Sequence, residues 1–111
     1  MLPSVRTEGP LTVVTTAGEL DLSNAGDLRG CLSGALDGGA VRLVIDMSDV
    51  TFVDSTILSV LVGTRNRLSQ VNGELTVVCD AESVLRVFRM TALDRLFTIR
   101  RTLAEVSNDA S

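Results

Sequence analysis

Three adjacent side chains, Asp54, Ser55 and Thr56, interrupt an otherwise apolar run that reads FVDSTIL. An acid followed by two hydroxyls suits the start of a helix. The first amides of a helix have no intrahelical acceptor, and such side chains supply one. The same position suits a covalent switch. A hydroxyl at a helix start is accessible, and a phosphate on it adds about −1.5 to −2 charges with three strong acceptors. The helix N-terminus tolerates that charge. Neighbouring carboxylates, and an acidic or apolar partner surface, oppose it. Phosphorylation here is expected to leave the fold intact and to change what docks.

Other groups that could do chemistry are weaker. Asp46 ends an apolar stretch, a place that resembles the phosphoacceptor of bacterial receiver domains. Receivers also use an early acid pair and a late lysine, and this chain contains no lysine. Asp46 is expected to bond amides near Ser48 in a turn. Glu19 and Asp21 could pair for acid–base work, but no aromatic sugar platform lies nearby. Gly38-Gly39 lacks the Gly-rich pattern and following Lys or Ser of a phosphate cradle. Cys31 and Cys79 stand far apart in no metal-like spacing and are expected to be reduced, structural residues.

The ten basic residues are all arginine, and histidine is absent. Ser-His triads, His-ligated zinc, Schiff-base lysines and the P-loop lysine are therefore excluded. The expectation is a protein that is not an enzyme, needs no cofactor and holds no metal. A net charge of −4 disfavours direct nucleic-acid binding. The charge is uneven. Residues 1–54 hold eight acids against three arginines, net −5, and residues 55–111 hold six acids against seven arginines, net +1.

The elements that must position these groups follow from the pattern. The 111 residues fit one domain. With three Phe and neither Trp nor Tyr, the core must be aliphatic. Val5 and Leu11–Ala17 read as a hairpin of strands with Glu8-Gly9-Pro10 as its turn. Gly18 to Leu22 reads as a loop, with Asp21 or Ser23 as cap for a helix from about Asn24 to Leu36. Arg42–Asp46 reads as a buried strand and Met47–Val53 as a connecting loop. A second helix runs from the Asp54 motif to about Ser69, apolar nearly all round in its first half. Glu74–Cys79 reads as a strand and Val84–Thr91 as a helix capped by Ser83. A short strand over Leu96–Ile99 and a helical turn over Thr102–Val106 close the domain, 1–106. Residues 107–111 are expected to be a disordered tail. No apolar run approaches the ~20 residues of a membrane helix. The start of the chain lacks a basic region followed by a hydrophobic stretch. A cytoplasmic location without membrane contact is expected.

Together, Gly18-Glu19-Leu20-Asp21 after a strand, LVIDMSDVTFVDST (43–56), LVGTRNRL (61–68), GELTVVC (73–79) and VLRVFRMTALDRLF (84–97) resemble the bacterial anti-sigma factor antagonists, a branch of the STAS domains. The block from Leu43 to Leu68 is the specific part. The resemblance implies an α/β fold, a four- or five-stranded mixed sheet with helices packed mainly on one side. It implies partner switching. The unphosphorylated antagonist binds an anti-sigma factor that is also a serine/threonine kinase, and so frees the sigma factor. The kinase phosphorylates the antagonist at the start of the second helix, and a metal-dependent phosphatase restores it. A homodimer is compatible with this scheme, as is a non-catalytic scaffold that uses the fold without regulated phosphorylation. The family's acceptor is the second hydroxyl, here Thr56, with Ser55 the second choice. Asp21 and Ser23 fall in the loop that the family sets beside the acceptor, so Asp21, Ser23, Asp54, Ser55, Thr56 and Ile57 are the expected partner-binding residues. The family usually continues Gly-Leu-Gly. Here Ile57 and Ser59 replace the glycines. Ile57 is expected either to hinder a kinase or to enlarge an apolar docking patch.

Overall fold

The computed structural model describes residues 2–110, with residues 107–110 described for the backbone alone. The order of elements is β1 (Ser4–Glu8), β2 (Leu11–Leu20), α1 (Ala25–Asp37), β3 (Arg42–Val53), α2 (Ser55–Ser69), β4 (Glu74–Val78), α3 (Glu82–Met90), a 3-10 turn (Leu93–Arg95), β5 (Thr98–Arg100) and α4 (Leu103–Ala110). The five strands form one mixed sheet in the order β1-β2-β3-β4-β5. The first pair is antiparallel and the rest are parallel.

This order explains the layers. Gly9 takes a φ of +56°, which a residue without Cβ adopts freely, and the chain reverses between Glu8 and Leu11. Each later step to a neighbouring parallel strand needs a helical crossover, and crossovers of one hand stack their helices on one face. Helices α1, α2 and α3 share the main core with Val14, Ile45, Met47 and Val77 of the sheet. Helix α4 lies on the opposite face, where Val106 and Leu103 pack with Leu11, Val13, Val44 and Val78. The core is aliphatic as expected. Its one aromatic pair, Phe88 and Phe97, meets edge to face at 5.9 Å, a favourable quadrupole geometry. Fully burying each large aliphatic side chain contributes about 1.5–3 kcal/mol.

Several boundaries differ from the sequence reading. Strand β2 continues through Gly18-Glu19-Leu20, and β3 includes the segment Met47–Val53 that reads as a loop. Two register irregularities, between Thr15 and Ala17 and between Gly18 and Glu19, set extra residues of β3 against β2. Such bulges break strand alternation. Beyond Asp46, β3 has left β4 and pairs with β2 alone, so the two strands project as a ribbon past the sheet. Helix α3 begins at Glu82, with Ala81 in the cap position and no side-chain cap. The Ser83 hydroxyl instead donates to Thr51 O at 3.4 Å. The closing helical turn is a longer helix whose backbone reaches Ala110. The tail expected over 107–111 falls outside the fully described residues. Among the described residues, no helix is long and apolar enough to cross a membrane.

Candidate functional site: the start of helix α2

Asp54 caps α2. It stands in extended conformation at the end of the ribbon, and its Oδ1 accepts from the Ile57 amide at 3.0 Å. Its Oδ2 accepts from the Leu22 amide at 3.1 Å, and its own amide donates to Leu20 O at 3.2 Å. One carboxylate therefore caps the helix and fastens the β2–α1 turn to it.

That turn is held from within as well. Asp21 Oδ1 accepts from the Ser23 hydroxyl at 2.5 Å and from the Ser23 amide at 2.9 Å. These two bonds, the hydroxyl's first, hold the Asp21 carboxyl below its ordinary pKa against a small opposing effect of burial. Asn24 Oδ1 accepts from the Asp21 amide at 2.9 Å, and Asn24 Nδ2 donates to Glu19 O at 2.8 Å. Neither Asp21 nor Ser23 caps α1, in contrast to the sequence reading. The cap position belongs to Asn24, whose side chain makes no cap bond because it is committed to the turn.

Ser55 is exposed and Thr56 is partly exposed at the helix start. Among the described residues, neither hydroxyl has a hydrogen-bond partner. Other hydroxyls on this helix are occupied: Ser59 donates to Ser55 O, Thr64 to Val60 O and Ser69 to Asn66 O. Asp54 takes the Ile57 and Leu58 amides, so the two hydroxyls are the side-chain groups that this helix start leaves unoccupied.

Ile57 differs from expectation. Its side chain is 0% exposed and belongs to the main core. It adds no exposed apolar surface at the start of α2. The surface of α2's first half is lined instead by Ser55, Ser59 and Gly63, so the apolar run is packed inward rather than exposed.

The remaining candidates lie apart. Asp46 Oδ1 accepts from the Ser48 amide at 3.1 Å and hydroxyl at 2.5 Å, the turn-like bonding expected, but at the bulge within β3 rather than at a strand end. Cys31 is half-buried on α1, and Cys79 is buried after β4. Burial is the leading cause raising both thiol pKa values. Among the described residues, no group of three or more Cys, Asp or Glu side chains could hold a metal ion. A cleft of about 410 Å³ lies at the other end of the sheet, lined in part by Arg42, Arg65, Thr76 and Thr98, away from the start of α2. The clasp between Leu22 and Asp54 and the Asn24 clamp were not legible in the sequence. The signal that bears on them is the density of Asp, Ser and Asn between Glu19 and Asn24, which marks side chains that bond nearby backbone.

The chain is similar to proteins of known lineage. It is 29% identical over 86 residues to the anti-sigma-B factor antagonist of Staphylococcus aureus (strain NCTC 8325 / PS 47), covering 78% of this chain and 80% of that protein. It is 28% identical over 96 residues to the anti-sigma-B factor antagonist of Listeria monocytogenes serovar 1/2a, covering 86% and 84%. The crystal structure of an anti-sigma factor antagonist from Mycobacterium paratuberculosis superposes with a TM-score of 0.89 at 28% identity, over 96% of this chain and 91% of that one. SpoIIAA in its unphosphorylated form shares the fold with a TM-score of 0.74 at 19% identity, over 97% and 96%. The same five-stranded architecture and the match of residues 3–106 to the STAS domain model place the chain in its family: it belongs to the STAS domain family.

Proposed function

We propose that this chain is an anti-sigma factor antagonist that acts by partner switching in the cytoplasm. In its unphosphorylated form it binds an anti-sigma factor with serine/threonine kinase activity and frees the sigma factor. Phosphorylation at Thr56, with Ser55 the second choice, ends that complex, and a metal-dependent phosphatase restores binding. The chain acts as a binding protein and kinase substrate rather than as a catalyst.

The observation that carries this reading is the pair of unpartnered hydroxyls at the start of α2, in a family whose curated relatives are named anti-sigma-B factor antagonists. A phosphate on Thr56 meets the N-terminal amides of α2, which tolerate it. It also adds negative charge beside Asp54 and the Asp21-Ser23 turn, so the docking surface changes more than the fold does. SpoIIAA, which shares this fold, has been seen in both unphosphorylated and phosphorylated forms.

The test is phosphosite mapping by intact-mass and peptide mass spectrometry on protein from its native host, paired with binding of the anti-sigma protein. Phosphate at Thr56 is expected. Thr56→Ala should bind and resist phosphorylation, and Thr56→Glu should bind at least tenfold more weakly. No phosphate under any growth condition, with both variants binding like wild type, would instead favour a scaffold that uses this fold without a switch.

A further inference from the structure

The β2/β3 ribbon has one covered face and one bare face. Leu20 and Val53 stand in register and are buried in the main core. The adjacent pair, Glu19 and Phe52, therefore faces the other way, and both are exposed, Phe52 at 50%. Among the described residues, helix α4 covers that outer face over the main sheet, where Leu103 and Val106 pack with Leu11, Val13, Val44 and Val78. At the same end Leu22, 75% exposed, sits on the turn that Asp54 fastens. Two large apolar side chains thus remain in solvent, Leu22 on that turn and Phe52 two residues before Asp54 in the chain.

Charge sets this ledge apart. Its segments, residues 17–25 and 48–59, carry Glu19, Asp21, Asp49 and Asp54 and not one arginine. Among the described residues none of the four forms an ion pair. Elsewhere the acids are commonly matched: Glu8 with Arg6, Asp37 with Arg67, Glu74 with Arg42, Asp80 with Arg101 and Glu82 with Arg89. Unmatched carboxylates around an exposed aromatic form the complement of a cation-ringed apolar socket. Aromatic anchors dominate interface energies, and matched charges steer association and set specificity.

We propose that this ledge is the part of the docking surface that grips the anti-sigma partner. Phe52 and Leu22 enter an aliphatic socket, and arginine or lysine side chains around that socket face Glu19, Asp21 and Asp49. The inference rests on the function proposed above and assigns it a partner chemistry. The switch then acts through the apolar socket: a phosphate at Thr56 must be desolvated beside it and repels Asp54, and both effects oppose docking.

The test measures binding of the full chain to each purified anti-sigma kinase of the source organism, for wild type, Phe52→Ser and Glu19→Arg, at low and high salt. Phe52→Ser should weaken binding at least tenfold with an unchanged thermal midpoint. Glu19→Arg, which removes no apolar packing and so guards against a folding defect, should slow association several-fold and flatten the salt dependence. Wild-type-like binding of both variants overturns the ledge and leaves the antagonist reading standing. Failure of wild type to bind any of the kinases overturns both. A wild-type dimer in sedimentation that Phe52→Ser converts to monomer overturns the proposal in favour of a second copy as occupant.

Discussion

The carboxylate of Asp54 ties Leu22 to Ile57, one oxygen to each amide, at 3.1 and 3.0 Å. Cap and clasp are therefore one group. Replacing a helix cap by alanine costs about 0.5–2 kcal/mol, and the second lost bond adds about 0.5–1.5 kcal/mol. Asp54→Ala is expected to lose about 1–3.5 kcal/mol in denaturant unfolding, and Asp54→Asn, which keeps one acceptor oxygen, less. Amide exchange should accelerate at Leu22 and Ile57 together in Asp54→Ala. Acceleration at Ile57 alone would show that the clasp does not hold in solution.

Ile57 stands where the resemblance implies a glycine, yet its side chain is buried in the core. Restoring glycine should therefore harm the fold rather than open the site. Truncating a buried Ile to Ala costs about 2–5 kcal/mol, and glycine in a helix adds about 1 kcal/mol. Ile57→Gly is expected to lower the unfolding free energy by about 3–6 kcal/mol. A variant as stable as wild type, by urea titration, would contradict the buried placement.

The cysteines offer a check on packing. Burial pushes both thiols toward higher pKa, which reduces the reactive thiolate fraction at neutral pH. Cys79, fully buried, is expected to alkylate only on global unfolding, and Cys31 slowly in the native state. Rapid native labelling of Cys79 at pH 7.5, read by mass spectrometry, would be inconsistent with this core.

Most of the fold was legible because its signals are strong. The aliphatic β-branched runs at Leu11–Ala17 and Leu75–Val78 and the helical spacing of Ala25, Leu28 and Leu32 depend only on burial. The start of α2 was legible because an acid and two hydroxyls ahead of an apolar run supply acceptors for the first amides of a helix. The ribbon was hidden. Its bulges place Thr51 and Phe52 where alternation predicts one exposed and one buried residue, so a continuous strand reads as a loop. The cap of α1 was likewise misplaced: the sequence offers Asp21 or Ser23, and the cap position belongs to Asn24. Bonds within the turn decide what each does instead: Asp21 accepts from Ser23, and Asn24 bonds Glu19 O and the Asp21 amide.

Asp21 gives the most direct probe of the site's electrostatics. Its carboxylate accepts the Ser23 hydroxyl and amide, and both bonds favour the charged form, so its pKa lies below the ordinary 3.8. Ser23→Ala removes the larger of the two causes and leaves the amide, so the pKa should rise toward the ordinary value without exceeding it. The linked stability has a definite sign. A depressed native pKa contributes stability above the unfolded-state value, and that contribution is lost as the pH falls through the native value. The stability gap between wild type and Ser23→Ala should therefore be constant near neutral pH and close only in the acid range below 3.8. Side-chain carboxyl NMR titration reads the pKa in both proteins, and denaturant titrations at several acidic pH values read the gap. Identical Asp21 pKa values in the two proteins would mean that the Ser23 hydroxyl does not hold the turn in solution.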